Sequence, residues 1–543
     1  MPRFLRLVLS LSLFTAFITV VLSPQIGHAV IPPPGDPAYS QDCPSNGPSV
    51  CPPQHLPAYS FSISLTEGNV ANETSVAQVR SSFGATLGFS PIYNSYAADG
   101  SRTMFMGPGS QTDIGLGYGW THMYNDLLFS WHGDVFRVGP DGRITRFALQ
   151  NNGSYLTSPG YFETLVKNND GSFDLSTKYQ TDYHYESIPD TPFLVDGPVL
   201  RPTSITDRNN NVTTLTYTDG NLALITDTYG RSIQLNYNGN HHLTTVIDPF
   251  GVTTTFSYNA NGNLLTAITD PTGKTTSYTY NNLNQITSKT DRDGRVFTIL
   301  YNHNLPSSEL DGNGGTIYTL TNPTNWAIDP VQLLKDFMRV YIPSTTSATD
   351  GRGNVWTYSY DSNAHPLRVT APDGAVTTYT YDPATLKVHS VTDADGNTTT
   401  YSYDAEGNTL TRSDALGHVT TYTYDSQFNQ MLSMTDPQGR ITTYTIDGHG
   451  NRLSETDPLG GTRKWTYDSH GNVLTDTDKD GNTTTFAYDG YGNRNTVTDA
   501  LGEITKYTHD IMGNTAVRLK LEQNQLVGVS GEIGILVDAL KGA

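Results

Sequence analysis

The sequence predicts an all-β fold: a long spiralling antiparallel sheet of about 13 β-hairpins, an open shell, preceded by a second β-rich module. Three observations carry this expectation. The 543 residues include 50 Gly and 30 Pro but only 15% charged side chains, against roughly 25% in ordinary soluble domains, which disfavours helix-rich and coiled-coil readings. The 33 Tyr, 19 Phe and long Thr runs favour strands separated by Gly, Asn and Asp turns. An Asp-x-x-Gly signature also recurs at nearly constant spacing along most of the chain. Lys and Arg number 32 against 52 Asp and Glu, a net charge of −20. Such a surface repels phosphate backbones, so nucleic acid is not expected as a partner.

Residues 1–29 read as a secretory signal peptide. Arg3 and Arg6 precede an apolar run from Leu7 to Leu22, and Gly27, His28 and Ala29 supply the small-x-small cleavage pattern. An uncleaved anchor is the alternative, since the run falls only a little short of a membrane span. No later stretch is apolar enough to cross a bilayer, so the mature protein is expected to be secreted or held in the cell envelope, without a span after cleavage. Residues 30–58 carry nine prolines and read as an extended linker. They hold the only two cysteines, Cys43 and Cys51. So close in sequence and exported, the pair is expected to form a disulfide, with free thiols as the alternative.

Residues 59–200 alternate apolar and polar side chains around Gly and Asn turns and form the second β module. The array occupies residues 201–514. Asp227, Asp248, Asp270, Asp291, Asp311 and Asp350 are each followed three residues later by Gly, as are Asp393, Asp414, Asp436, Asp457, Asp478 and Asp499. Asn210 replaces the glycine after Asp207, and Ala371 to Gly374 is a degenerate copy. From Asp393 onward the step is 21 or 22 residues, and a second signal sits within each step. Tyr403-Asp404 precedes Gly407-Asn408, Tyr467-Asp468 precedes Gly471-Asn472, and Tyr488-Asp489 precedes Gly492-Asn493. Two turns per period mean two strands per period, a hairpin.

With Tyr403 set opposite Asn408, Tyr401 should face Leu410 and Thr399 should face Arg412. The same register sets Trp465 opposite Leu474 and Phe256 opposite Leu265. One face is then aromatic and aliphatic, the other hydroxylated. Asp first and Gly fourth is the preference of a type I turn at Gly417 and Gly481, while the Gly-Asn pairs supply a left-handed residue. About 25 strands would make a continuous sheet on the order of 120 Å wide, which twist must curl into a spiral or shell. A propeller and a parallel solenoid are the rival architectures.

The string Tyr403, Asp404, Gly407, Asn408, Asp414, Gly417 and its copies resembles the YD repeat of Rhs proteins, insecticidal toxin-complex components and teneurins, over about 310 residues. The resemblance implies a spiral sheet wound into a hollow shell, which in bacterial members encloses a toxic C-terminal segment. Tyr93, Asn94, Ser95, Gly115, Gly117, Gly119, Trp120 and Tyr124 resemble the module ahead of such repeats. The chain departs from the pattern at an insertion, 321–349, where Asp329, Pro330, Val331, Leu334 and Met338 suggest a short helix. It departs again in the non-repeat tail, 515–543, where Lys520 and Gln523 stand where the next Asp and Gly would fall.

No catalytic residue, metal site or cofactor is expected. Asp248 to Gly251 and Asp270 to Gly273 resemble the paired turns by which shell-forming relatives cut themselves, but the repeat period alone generates their spacing. Asp393, Asp395 and Asn397, with Asp478, Asp480 and Asn482, resemble half a calcium loop that lacks its bidentate acid. His241 and His242 are adjacent and, on a strand, would point to opposite faces. The residues singled out are structural: Asp404, Gly407, Asn408, Gly417, Asp468, Gly471, Asn472, Gly481, Asp489, Gly492 and Asn493. The function expected is an exported, non-enzymatic scaffold in an Rhs-like toxin-encapsulating shell or surface system, forming an incomplete shell. Its partner would be a toxin segment or a downstream shell protein. The alternative is an adhesin or carbohydrate-binding repeat protein that meets a cell-surface glycan through Tyr and Trp.

Overall fold

The structure, a computed structural model, describes residues 114–531 apart from 141–143, 190–192, 195–196, 303–304, 322–344, 362–364, 511–513 and 523–524; ahead of these it describes 62–63, 70–73, 75–78, 87–95 and 98. The signal peptide, the linker, the Cys43–Cys51 pair and the helix expected from Asp329 lie outside the described residues. The strands from Leu127–Trp131 to Gln525–Gly531 form one long antiparallel sheet, with a small separate pairing of Phe193–Leu194 and Gly197–Pro198. Strand Leu200–Thr206 pairs with Asp182–Ser187 on one side and Val212–Thr218 on the other, so the sheet runs through position 200 without a break.

The sheet is open. Its one ring lies at the start, where Leu200 also meets Leu128 of the first strand. The last strand, Gln525–Gly531, pairs with Thr515–Glu522 and with no other strand among the described residues. The tail therefore adds two strands although its turn signature lapses. Alternating Val517, Leu519 and Leu521 can continue a ladder without Asp or Gly at the period.

Each repeat is a hairpin, such as Thr398–Tyr403 with Thr409–Ser413. The register corrects the sequence expectation. Tyr403 faces Thr409, a bulge follows, and Tyr401 faces Arg412; likewise Trp465 faces Asp476 and Phe256 faces Ile268. The cause is the turn: the Asp404 amide donates to the Asn408 carbonyl at 3.0 Å, so pairing starts one residue later, and Leu410 becomes the extra residue of the bulge. The hydroxyl face survives, because a two-residue displacement returns a side chain to the same side, but the other face is not aromatic and aliphatic alone: Arg412 stands opposite Tyr401, Glu455 opposite Tyr444 and Asp476 opposite Trp465. On the hydroxyl face, Ser402 Oγ and Thr411 Oγ1 lie 2.6 Å apart and Thr466 Oγ1 and Thr475 Oγ1 2.7 Å apart.

The main core forms where the aromatic face of the early hairpins meets residues 87–95 and 114–124. Leu87, Phe89, Tyr93, Leu116 and Trp120 pack with Ile225, Ile233, Leu265, Tyr278, Ile299 and Tyr358 in one buried cluster. The Trp120 indole donates to Tyr280 Oη at 2.9 Å, and Tyr93 Oη accepts the Ile286 amide at 2.9 Å.

The ribbon then winds back over itself. Asn429 Nδ2 donates to the Lys178 carbonyl at 2.9 Å, and Asn451 Nδ2 to Asn209 Oδ1 at 2.7 Å. Asn211 Nδ2 donates to the His470 carbonyl at 3.0 Å, and the rings of Tyr229 and His470 lie 5.3 Å apart. These partners stand 241 to 259 residues apart in sequence, which measures one winding. The seam joins opposite edges of the ribbon: Gly-Asn turns of the later winding rest on Asp-x-x-Gly turns of the earlier one.

Candidate functional site

Both turns of the repeat share one geometry, built on an aspartate. Asp404 Oδ1 accepts the Asn408 amide at 2.6 Å, Asp404 Oδ2 accepts Asn408 Nδ2 at 2.9 Å, and the Gly407 amide donates to the Asp404 carbonyl at 3.1 Å. Asp468 with Asn472, and Asp489 with Asn493, repeat the arrangement at 2.9 to 3.0 Å. The glycine at the fourth position holds positive φ in every case: +70° at Gly407, +81° at Gly417, +82° at Gly471, +87° at Gly481 and +73° at Gly492. Only glycine takes this conformation without steric cost.

What separates the two sets of turns is what lies above the glycine. A Cβ at Gly471 would come 2.5 Å from Asn209 Nδ2, and Cβ atoms at Gly407 and Gly492 would strike Phe162 and Tyr229. At Gly417 and Gly481 nothing lies within 4 Å. Asn408, Asn472 and Asn493 are buried, because these turns form the seam. Nothing in a single repeat signals this, since the partners are supplied from more than 240 residues away.

The tyrosine before most of these turns has a defined role; Ile446 and His509 hold its place before Asp447 and Asp510. The hydroxyl of Tyr403 donates to the Val388 carbonyl at 2.5 Å, Tyr381 to Pro366 at 2.7 Å, Tyr467 to Arg452 at 2.7 Å and Tyr488 to Val473 at 2.8 Å, each fifteen residues back. Tyr217, Tyr237, Tyr258, Tyr280 and Tyr301 make the same bond. Each hydroxyl stitches its hairpin to the one before. Burial raises the Tyr381 and Tyr488 phenols above their ordinary range, so they remain neutral donors.

The aromatic face changes character along the chain. Tyr358 and Tyr379 are buried, and desolvation pushes the Tyr358 phenol up to about 12. Beyond them Tyr401, Tyr422, Tyr444, Trp465, Phe486 and Tyr507 are half-buried, one per hairpin. Arginines lie over this ladder: Arg452 is 4.2 Å from the Tyr444 ring centre, Arg463 5.1 Å from Trp465 and Arg494 5.5 Å from Phe486. Arg452 and Arg463 also pair with Glu455 and Asp476 on the same face, so the arrangement suits contact with flat, apolar groups.

Other sequence candidates are absorbed by turns. Asp248 Oδ1 accepts the Phe250 and Val252 amides, and Asp270 Oδ1 those of Thr272 and Lys274, all at 2.8 to 3.0 Å. Asp393 and Asp478 likewise hold Asn397 and Asn482. His241 and His242 lie in a turn and not on a strand, because His241 takes positive φ, and its Nδ1 meets Asn221 while His242 lies against Tyr258. Among the described residues no cluster of His, Cys, Asp and Glu is placed to hold a metal, and no helix is long and apolar enough to cross a membrane. Gly115, Gly117 and Gly119 have φ from +81° to +93°, and a Cβ at Gly115 would lie 2.6 Å from the His241 carbonyl. Their closeness brings residues 114–124 against the early hairpins, a contact the sequence did not disclose.

The class defined by these hairpins is a β-hairpin repeat scaffold whose sheet is stitched laterally and wound over itself. The repeat is the RHS repeat: the family model of that description matches seven stretches, 237–267, 259–296, 384–413, 403–441, 428–462, 447–480 and 467–504, and the chain carries RHS repeats there. No curated protein matches it. Among solved structures it is similar to TcdB2-TccC3-Cdc42, at 13% identity and a TM-score of 0.41, over 85% of this chain and 27% of that one. It is also similar to TcdB2-TccC3, at 13% identity and a TM-score of 0.23, over 84% of this chain and 32% of that one. A third is the Tc holotoxin pore of Photorhabdus luminescens, at 13% identity and a TM-score of 0.22, over 86% and 32%. The chain spans less than a third of the length of each.

Proposed function

We propose that the chain is an exported, non-enzymatic scaffold whose later winding offers an unfilled aromatic face to a polypeptide partner, as part of a toxin-related RHS shell or surface system. The observation behind this reading is the contrast within one face. Leu87, Phe89, Tyr93, Leu116 and Trp120 fill it in the early hairpins, whereas the ladder from Tyr401 to Tyr507 is half-exposed and carries arginines. The partner is a toxin segment or a second shell protein, and the shell formed by this chain alone is incomplete. Export rests on residues 1–29.

The test is co-expression with the polypeptide encoded immediately downstream, followed by limited proteolysis and a density map. Protection of that polypeptide against the Tyr401–Tyr507 ladder is expected. A sealed cavity formed by the chain alone would overturn the incomplete-shell reading. The half-exposed Tyr and Trp rings also favour a second reading, a glycan binder. Retention on immobilised glycans that Trp465→Ala abolishes would establish it instead.

A further inference from the structure

The Asp-x-x-Gly edge of the later winding forms a rim, and its turn tips are unlike those of the rest of the array. In the seam, the third residue of the earlier winding's turns makes the contact: Asn209 meets Asn451 and the space above Gly471, and Tyr229 meets His470 and the space above Gly492. On the later rim this position is held by Leu416, Gln438, Leu459, Asp480 and Leu501 in succession. The three leucines are 81%, 97% and 88% exposed, more than any other large apolar side chain described. Their backbone amides donate to Asp414, Asp457 and Asp499, each at 2.9 Å, so the tips are fixed and the side chains project outward. Three such tips stand in line on one edge, each held by its own turn.

The chain's own Gly-Asn edge does not supply the cover. Its turns are already occupied at Gly407 by Phe162, at Gly450 by Phe428, at Gly471 by Asn209 and at Gly492 by Tyr229. The order of the tips points elsewhere. Leucine, polar, leucine, polar, leucine reads the same in both directions about Leu459. A two-fold axis through Leu459, lying in the plane of the rim, sets Leu416 against Leu501 of a second copy and Leu459 against its own mate. It also sets the turn containing Arg440 against the turn containing Asp478 and Asp480. Arg440 is two-thirds exposed and bonded only to its own turn, at Asp436 and Gln438. Lys479 of the facing turn is taken by Asp457 at 2.7 Å, so Asp480 is the charge set opposite Arg440, a complementary pair in an isologous contact.

We propose that this rim is the interface of a weak homodimer, two copies meeting edge to edge through Leu416, Leu459 and Leu501. Two hairpins span about 19 Å, so the three tips extend over about 38 Å; at a width of about 10 Å the contact covers on the order of 400 Å² per copy. That is about half the area of a standard interface, so association is concentration-dependent. The two half-exposed aromatic faces become continuous across the axis.

Sedimentation equilibrium of the purified full chain, from about 1 to about 200 µM, tests this. The wild type is expected to move from monomer towards dimer. Leu459→Asp, which sets two carboxylates on the axis, is expected to weaken association about tenfold or more with an unchanged far-UV spectrum. Arg440→Asp should weaken it as well, and adding Asp480→Arg should restore it. A wild type that stays monomeric throughout, as it would if the rim served a different partner, overturns the proposal. So does a dimer indifferent to Leu459→Asp, or a charge exchange that fails to rescue.

Discussion

The aspartates that open turns such as those at Asp393 and Asp478 use one oxygen to hold two backbone amides and the other to hold a side chain, so their charge is part of the fold. Hydrogen bonds from the Asn397 and Asn482 side chains are the main reason that the Asp393 and Asp478 carboxyls titrate below their ordinary range. A carboxyl lowered in the folded state contributes stability that is complete above its unfolded value of about 3.9 and is lost as pH falls through the folded value. The array is accordingly expected to hold its amide protection down to about pH 4 and to loosen at the turns below it. Protection that is flat from about pH 5 to about pH 2 would contradict this. The tyrosines make a complementary prediction. Tyr381→Phe removes the donor to the Pro366 carbonyl and is expected to cost about 0.5–1.5 kcal/mol. The loss should be read as faster hydrogen exchange in Pro366–Thr370 and Val376–Tyr381, with no change in distant hairpins.

At the scale of the hairpin, the two glycines of one repeat are predicted to differ. Gly481→Val meets only the strain of positive φ, roughly 1–2 kcal/mol, because nothing lies above it. Gly471→Val meets that strain and also the Asn209 side chain. Its damage should extend to Leu200–Thr206 and Val212–Thr218, where exchange rises together with that of Thr462–Tyr467. Equal effects of the two substitutions, confined to their own hairpins, would show that the seam carries no load. Turns were readable from sequence because Asp and Gly act within five residues. The register of Tyr401 was not, because the bulge at Leu410 follows from where the Asp404 amide closes its loop, and residue types alone do not reveal that. The seam at Asn209 and the packing of Trp120 were illegible for another reason: both depend on which distant hairpins the curl of the sheet brings together.

Across the whole array, stability is shared between hairpins stitched in series and two sets of long-range contacts, the packing of residues 87–95 and 114–124 and the seam. Trp120 is 2% exposed and its ring centre lies 4.9 Å from that of Tyr278. Trp120→Ala is expected to cost about 3–5 kcal/mol, exposing the early aromatic face to a hydrophobic dye while the hairpins from Thr398 to His509 keep their exchange protection. Global loss of protection would show instead that the array unfolds as one unit. The seam has a consequence for biosynthesis. Each hairpin closes with residues made within moments of one another, but Asn209 cannot meet Asn451 until 242 further residues have been made. At about 5–20 residues per second, the first winding waits roughly 12 to 50 s with its edge uncovered. For that interval the nascent chain is a growing ribbon with a bare border, and the time a chaperone must shield it is set by the circumference of the coil.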